Sequence, residues 1–177
     1  MTSHEWNARR ILKELCTAER RKEILTLFWT DAEKDTRELV TAALAKGLNF
    51  RLDSVRKATA ARRAELLGMQ LHVPQFEEPL EIALMLYHTE KASDLLAAFL
   101  DAWKIPHVNG SIEVEEYPVP DADAVARAVQ KLKSTYAEPD IALYLATAGL
   151  LMGRETPAWR DAAWPEVDRL RGVNTSH

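Results

Sequence analysis

Cysteine is almost missing from this sequence, because Cys16 is the only one among 177 residues. A single thiol excludes an intramolecular disulfide framework and a zinc cage built from cysteines, since both need several. We predict that Cys16 lies early in a helix, near Glu14 and Glu19, whose negative charges disfavour the thiolate. No serine lies in a G-x-S-x-G motif. The sequence therefore offers no candidate nucleophile for covalent catalysis.

Glycine is scarce as well, with six residues in the whole chain. None of them forms a G-x-G-x-x-G or a G-x-x-x-x-G-K-S/T motif, whose backbone amides hold nucleotide phosphates in many proteins. The sequence thus gives no support for nucleotide binding through a known loop. We expect no cofactor, and the sequence favours a non-enzymatic role while leaving an enzyme as an alternative.

Long apolar runs are absent too. The longest uncharged stretch covers residues 141–153, well short of the roughly 20 apolar residues that a membrane-spanning helix needs. The first ten residues contain Glu5, Arg9 and Arg10 and lack the apolar core of a secretory signal. Hydrophobic residues make up 47% of the chain and charged residues 28%, as in ordinary globular proteins. We therefore expect a cytoplasmic protein with no membrane partner.

Proline is absent from residues 1–73, and all eight prolines follow. The net charge also changes along the chain, from positive in the first part to negative in the second. Residues 1–68 carry 14 Lys and Arg against 10 Asp and Glu, whereas residues 69–177 carry 9 against 17. We expect one helical domain over 1–177, made of a basic proline-free half and an acidic proline-punctuated half. Such asymmetry is found in nucleic-acid-binding proteins, and also in halves that dock on each other or on a second copy.

Apolar residues recur at helical spacing nearly everywhere outside 105–119. We predict an all-α fold, an irregular bundle of eight or nine helices in antiparallel pairs, with one short β-hairpin near 105–119. Asn109-Gly110 is the strongest hairpin signal, since both central residues of a type I′ turn need positive φ. A break near Thr17 and a capping-box pattern at 30–33 mark further helix starts. The nearly uninterrupted apolar segments 78–89 and 141–152 are predicted to lie at the centre of the core.

A basic helix is predicted over 53–67. It carries four cationic residues, namely Arg56, Lys57, Arg62 and Arg63. On one face, such residues neutralise several phosphates and bind nucleic acid. Acidic residues are interspersed, however, and charged stripes of this kind are more often solvated helix faces. Nucleic-acid binding through this helix is therefore an alternative function.

The five histidines show neither H-x-x-x-H nor H-E-x-x-H spacing, so no local metal motif exists. His88, His107 and Asp101 are the weak candidates for a metal or acid–base site, if antiparallel helices bring them together. That site would make the chain a small-ligand or metal-dependent enzyme with a pocket near the buried helices, which is the second alternative. Otherwise, His88 is a helix-end histidine favoured by the macrodipole, and His107 is a solvated loop residue.

The segment 157–170 is the best candidate contact surface. Its apolar residues are Trp159, Trp164, Val167 and Leu170. Trp159 and Trp164 are five residues apart, so they do not lie on the same side of a regular helix. Pro165 disturbs the helix next to Trp164. One tryptophan then faces outward, or both pack inside as a capping helix. With no catalytic motif present, we expect a non-catalytic helical interaction module that acts by self-association, as a homo-oligomer, or by binding a protein partner.

Overall fold

A computed structural model describes residues 5–172 of the chain. Within these residues there are ten α-helices and one two-stranded antiparallel sheet, which confirms the all-α class with a small hairpin. The helices are α1 (Ala8–Glu14), α2 (Ala18–Asp31), α3 (Lys34–Gly47), α4 (Leu52–Lys57), α5 (Ala60–Gly68), α6 (Glu77–Leu86), α7 (Ser93–Ala102), α8 (Ala122–Leu132), α9 (Glu138–Leu151) and α10 (Pro157–Leu170). No helix in this part of the chain is long and apolar enough to cross a lipid bilayer.

The chain divides into two compact units. The N-terminal unit is Ala8–Tyr87, and the C-terminal unit is formed, in the described part of the chain, by residues 5–7 together with 88–172. The division between the units therefore follows residue 87, whereas the change in charge and proline content occurs near residues 68–73.

Helix α2 is the centre of the N-terminal unit and packs against both α5 and α6. It begins after Thr17, whose side chain accepts a hydrogen bond from the Arg20 amide at 3.2 Å. The predicted break near Thr17 is confirmed. Helix α1 packs on α6, and the Glu77 carboxylate joins them because it accepts from the Ala8 amide and from Arg9 Nε.

The capping-box prediction at residues 30–33 is wrong. Thr30 and Asp31 lie in the last turn of α2, and helix α3 begins at Lys34 with no side-chain cap. The single proton of the Thr30 hydroxyl has its acceptors within the last turn of α2, because the oxygen lies 2.7 Å from the Asp31 carboxylate and 3.3 Å from the Leu27 carbonyl. A threonine hydroxyl bonded to the preceding turn no longer caps a following helix.

The single basic helix predicted over 53–67 is also wrong, because the segment forms two helices, α4 and α5. Ala58 is extended, with φ −66° and ψ 150°. Thr59 then starts α5 by accepting a hydrogen bond from the Arg62 amide at 3.1 Å. This split explains why residues 5–172 form ten helices where eight or nine are expected.

The C-terminal unit is organised around α9, which packs against α7 and α10. Residues 141–149 are all buried, as the sequence predicts. Helix α10 approaches α9 closely because Gly149 has no side chain to collide with the Trp164 indole. The other apolar segment is less central than expected, since Met85 of α6 is exposed.

The hairpin is formed by β1 (His107–Val108) and β2 (Ser111–Ile112), with His107 opposite Ile112. Asn109 has φ 50° and Gly110 has φ 87°, which matches a type I′ turn. The hairpin prediction is therefore confirmed, although each strand has only two residues. Residues 5–7 belong to the same unit, where the buried Trp6 ring lies 5.0 Å from the Arg171 guanidinium.

Candidate functional site

The tryptophans predicted as interface candidates lie inside the protein. Trp159 is 1% exposed, Trp164 and Val167 are buried, and Leu170 is partly exposed. Trp159 meets the edge of Trp103 with ring centroids 5.2 Å apart, whereas the Trp164 indole donates to the Ala146 carbonyl of α9 at 3.4 Å. Helix α10 is thus buried on two sides. Both tryptophans therefore pack inward, although their spacing places them on different sides of the helix. They have little surface left for a partner.

His107 and Asp101 lie together, as the predicted metal or acid–base site requires of these two residues. His107 Nε2 lies 3.2 Å from Asp101 Oδ1, and the Gly110 amide donates to His107 Nδ1 at 3.0 Å. Since Nδ1 accepts a hydrogen bond, Nε2 carries the ring proton and donates to Asp101. Both ring nitrogens are therefore engaged in joining the hairpin to the end of α7.

His88 has a separate environment inside the C-terminal unit. Its Nε2 lies 3.3 Å from the Thr147 hydroxyl, and its ring meets Tyr144 edge-on at 5.5 Å. Thr147 donates its own proton to the Leu143 carbonyl at 2.9 Å, so its oxygen accepts from His88. Burial raises the pKa of Tyr144. Within residues 5–172, no three His, Cys, Asp or Glu side chains form a cluster that could hold a metal.

The prediction that Cys16 lies early in a helix is wrong, because Cys16 lies in the link between α1 and α2. Its pKa is raised to about 11, chiefly because the thiol is buried, while the charges of Arg21 and Arg20 act in the opposite direction. The predicted cause, repulsion by neighbouring glutamates, is therefore wrong. A buried neutral thiol is inert as a nucleophile.

The four basic candidates do not share one environment. Arg56 Nε contacts Glu38 at 3.2 Å, and Arg62 Nη1 contacts Glu65 at 2.9 Å. Lys57 is exposed and has no ion-pair partner in the described chain. Arg63 differs from all of them because its guanidinium lies over the Trp29 ring, 4.8 Å from the centroid.

Trp29 carries a second arginine that the sequence analysis missed. Arg37 Nη1 donates to the Trp29 carbonyl at 2.7 Å. We call Trp29, Arg37 and Arg63 the Trp29 cluster. Burial, and then the charge of Arg37, lower the pKa of Arg63, while Glu38 opposes this effect. The three residues come from α2, α3 and α5, so no local sequence pattern connects them.

Exposed apolar side chains form the other unusual feature of the N-terminal unit. Leu39 of α3 is 73% exposed, Phe50 between α3 and α4 is 48% exposed, and Leu52 at the start of α4 is 39% exposed. We call these three residues the α3–α4 surface. Helices α3 and α4 pack on each other, and the Glu38–Arg56 ion pair joins them beside Leu39. Leu52 lies one helical turn before Arg56, on the same side of α4.

Cationic residues accompany the α3–α4 surface. Lys46, Arg51 and Lys57 are exposed, and none has an ion-pair partner within the described residues. Lys46 lies near the end of α3, Arg51 directly precedes α4, and Lys57 ends α4. The same two helices therefore present apolar side chains and uncompensated positive charge.

A groove of about 340 Å³ lies between α2 and α5. Its lining includes Leu25, Gly68 and the exposed Met69. The charged side chains at its edge, Lys22 and Glu65, bond to each other at 2.7 Å. The groove therefore presents no unsatisfied polar group from these two residues.

Comparisons with protein-family models, with curated proteins and with solved structures gave no match. Function must therefore be argued from the residues themselves. Two features of the N-terminal unit stand out from ordinary packing, namely the α3–α4 surface and the Trp29 cluster.

Proposed function

We propose that the chain is a non-catalytic interaction module that binds a protein partner through the α3–α4 surface. The observation that carries this proposal is the exposure of Leu39, which is 73% accessible although it lies in the middle of a regular helix. Its neighbour Val40 and Leu44, one turn later, are buried, so α3 uses one face for its own core and leaves Leu39 outside it.

Covering this surface contributes favourable free energy to binding. Burying a Leu or Phe side chain completely stabilises by about 1.5–3 kcal/mol, and Leu39, Phe50 and Leu52 are each between a third and three quarters exposed. A few well-covered apolar residues supply most of the binding free energy in typical interfaces. The α3–α4 surface thus has the composition of such a centre.

The surrounding charge indicates the chemistry of the partner. Lys46, Arg51 and Lys57 have no ion-pair partner among the described residues. A two-fold contact between two copies of this surface places like charges near each other, which is unfavourable. A partner that combines apolar and acidic side chains fits better. We therefore favour a different protein over self-association through this face.

The experiment combines crosslinking with measured affinities. A photo-crosslinking amino acid is placed at position 39, and in a control chain at the exposed position 131 of α8. A protein captured only from position 39 is then purified, and its affinity is measured for the wild type, for Leu39→Asp and for Met69→Asp. Met69 is the matched control, because it is also apolar and is 61% exposed but lies after α5.

We expect Leu39→Asp to weaken binding at least about tenfold, which corresponds to about 1.4 kcal/mol. Met69→Asp should leave the affinity nearly unchanged, and both variants should keep the stability of the wild type, since they change exposed side chains. Equal capture from positions 39 and 131, or equal loss of affinity in both variants, contradicts the proposal. If the wild type forms a dimer that dissociates in Leu39→Asp but not in Met69→Asp, the partner is a second copy of this chain and not a different protein.

A further inference from the structure

Trp29 holds two arginine side chains from two directions. Arg63 lies over its indole ring at 4.8 Å, and Arg37 bonds to its backbone carbonyl at 2.7 Å. Trp29 itself is buried. Both cations are therefore fixed to one immobile residue, and their charges are close enough for Arg37 to affect the pKa of Arg63.

No carboxylate neutralises this pair within the described residues. Glu38 is near enough to act on Arg63 electrostatically, but its carboxylate bonds to Arg56 at 3.2 Å. Neither Arg37 nor Arg63 forms an ion pair in the described chain. Two adjacent guanidinium groups whose nearby carboxylate is bonded to another arginine remain unfavourable, and the cost increases as they are removed from water.

Hydrogen-bond donors are left over in the same cluster. Arg37 Nε, Arg63 Nε and Trp29 Nε1 are all buried, and none has an acceptor among residues 5–172. A buried donor without an acceptor costs about 1–3 kcal/mol. The Nε–H of an arginine belongs to the rigid fork that holds carboxylate and phosphate oxygens in a bidentate manner. An oxyanion supplies both the missing acceptors and the missing negative charge.

We propose that Arg37 and Arg63 bind a single phosphate group in the N-terminal unit. A phosphate carries up to two negative charges and several acceptor oxygens, which match two guanidinium forks better than one carboxylate does. The site suits one isolated group, either free phosphate or a small phosphorylated molecule. An extended nucleic-acid surface requires further unpaired cations beside this pair. Arg56 and Arg62 are bonded to carboxylates, and the unpaired Lys57 belongs to α4 and not to the Trp29 cluster.

The test follows the arginine Nε–Hε signals by nuclear magnetic resonance while inorganic phosphate replaces chloride at constant ionic strength. We expect two Nε–Hε signals, assigned to Arg37 and Arg63, to shift together and to saturate. Arg63→Gln should weaken phosphate binding at least about tenfold, as expected when a charge-assisted pair is lost. Arg62→Gln is the matched control, because it removes a neighbouring arginine that is bonded to Glu65, and it should bind as the wild type does.

The wild-type titration needs no variant, so it tests the proposal even if Arg63→Gln fails to fold. Signals of Arg37 and Arg63 that stay in place throughout the millimolar range overturn it, and so does an equal loss of binding in Arg62→Gln. Phenyl phosphate is titrated in parallel, and tighter binding than inorganic phosphate identifies a phosphorylated molecule as the ligand. A single-stranded oligonucleotide forms the last arm. If oligonucleotide binding depends equally on Arg62 and Arg63 and falls steeply with salt, the region is a nucleic-acid surface and not a site for a single phosphate group.

Discussion

The two units of this chain differ in where they place their apolar side chains. In the C-terminal unit, the large aromatic residues gather inside, with Phe99 stacked on Tyr144 at 4.5 Å and Trp159 against Trp103. The large apolar residues exposed in its described part are Val108 and Val114, in or near the hairpin. The N-terminal unit exposes five large apolar residues, namely Leu39, Phe50, Leu52, Met69 and Met85.

Under the proposed function, the buried aromatic residues of the C-terminal unit serve stability, and the exposed apolar residues of the N-terminal unit serve recognition. The C-terminal unit uses its tryptophans for internal packing, although tryptophan is a common interface residue. The N-terminal unit leaves apolar surface and unpaired cations on helices that are regular and well formed. The burial of individual residues, more than residue type, therefore distinguishes the candidate binding surface. The following substitutions test each side of it.

The largest effect is expected for Trp159→Ala. Trp159 is almost fully buried against Trp103 and Tyr117, so its loss leaves a cavity and should lower the free energy of unfolding by about 3–5 kcal/mol. Urea unfolding measures this change, and light scattering should show an unchanged molar mass. A lower mass with little loss of stability would instead place Trp159 in an interface and remove the contrast between the units.

Two leucines of α3 allow buried and exposed apolar residues to be compared within one helix. Leu44 is fully buried, whereas Leu39 is largely exposed. Leu44→Ala should lower the free energy of unfolding by about 2–5 kcal/mol, and Leu39→Ala should change it by less than about 0.5 kcal/mol. Chemical denaturation of both variants provides the measurement. If Leu39→Ala proves as destabilising as Leu44→Ala, Leu39 belongs to the core and the α3–α4 surface does not exist.

The contact between α9 and α10 is tested by a pair of glycines. A Cβ at Gly149 collides with the Trp164 indole, whereas a Cβ at Gly68 meets Leu25 at an ordinary 3.5 Å. Gly149→Ala should therefore destabilise by about 1–3 kcal/mol through overpacking, despite the better helix propensity of alanine. Gly68→Ala should be neutral or stabilise by up to about 1 kcal/mol. Thermal unfolding distinguishes them, and equal melting temperatures would show that α9 and α10 are further apart than described.

At neutral pH the smallest effect concerns Cys16, because its contribution changes only at high pH. Burial raises the pKa of its thiol to about 11, above the value of about 8.5 in an unfolded chain. The folded state then retains the proton longer, so stability is complete below about pH 8.5 and falls between about 8.5 and 11. Relative to Cys16→Ala, the wild type should lose stability in urea unfolding across that interval. A constant difference between the two proteins would show that the thiol is solvated.

Local signals in the sequence predicted a large part of the fold. The buried stretch 141–149 follows from an apolar pattern with no polar face, and the hairpin follows from the positive φ that Asn109 and Gly110 accept. The start of α2 after Thr17 is local in the same way. The division of 53–67 was missed because Ala58 and Thr59 include neither proline nor glycine. The Thr30 hydroxyl was misread because it can bond forward as a cap or backward to the preceding turn, and sequence does not distinguish the two.

The candidate sites depended on contacts that sequence does not contain. Arg62 and Arg63 are adjacent and chemically identical, yet one bonds to Glu65 and the other lies on Trp29. Leu39, Val40 and Leu44 are all apolar residues of α3, yet only Val40 and Leu44 are buried. Residue pairing and the exact orientation of a helix are set by tertiary packing, so these distinctions appear only in the structure.

The contact between Trp6 and Arg171 has a consequence for the order in which the chain folds during synthesis. The N-terminal unit is continuous, so all of its residues leave the ribosome before most of the C-terminal unit has been made. The C-terminal unit combines residues 5–7 with residues up to 172, so its earliest segment must wait for its latest. Bringing residues 5–7 to the rest of their unit closes a long loop, which costs conformational entropy. This cost is smaller once the N-terminal unit has folded, because less of the chain between them is then free. Trp6, although it is synthesised before the N-terminal unit, is therefore expected to be buried after that unit has folded.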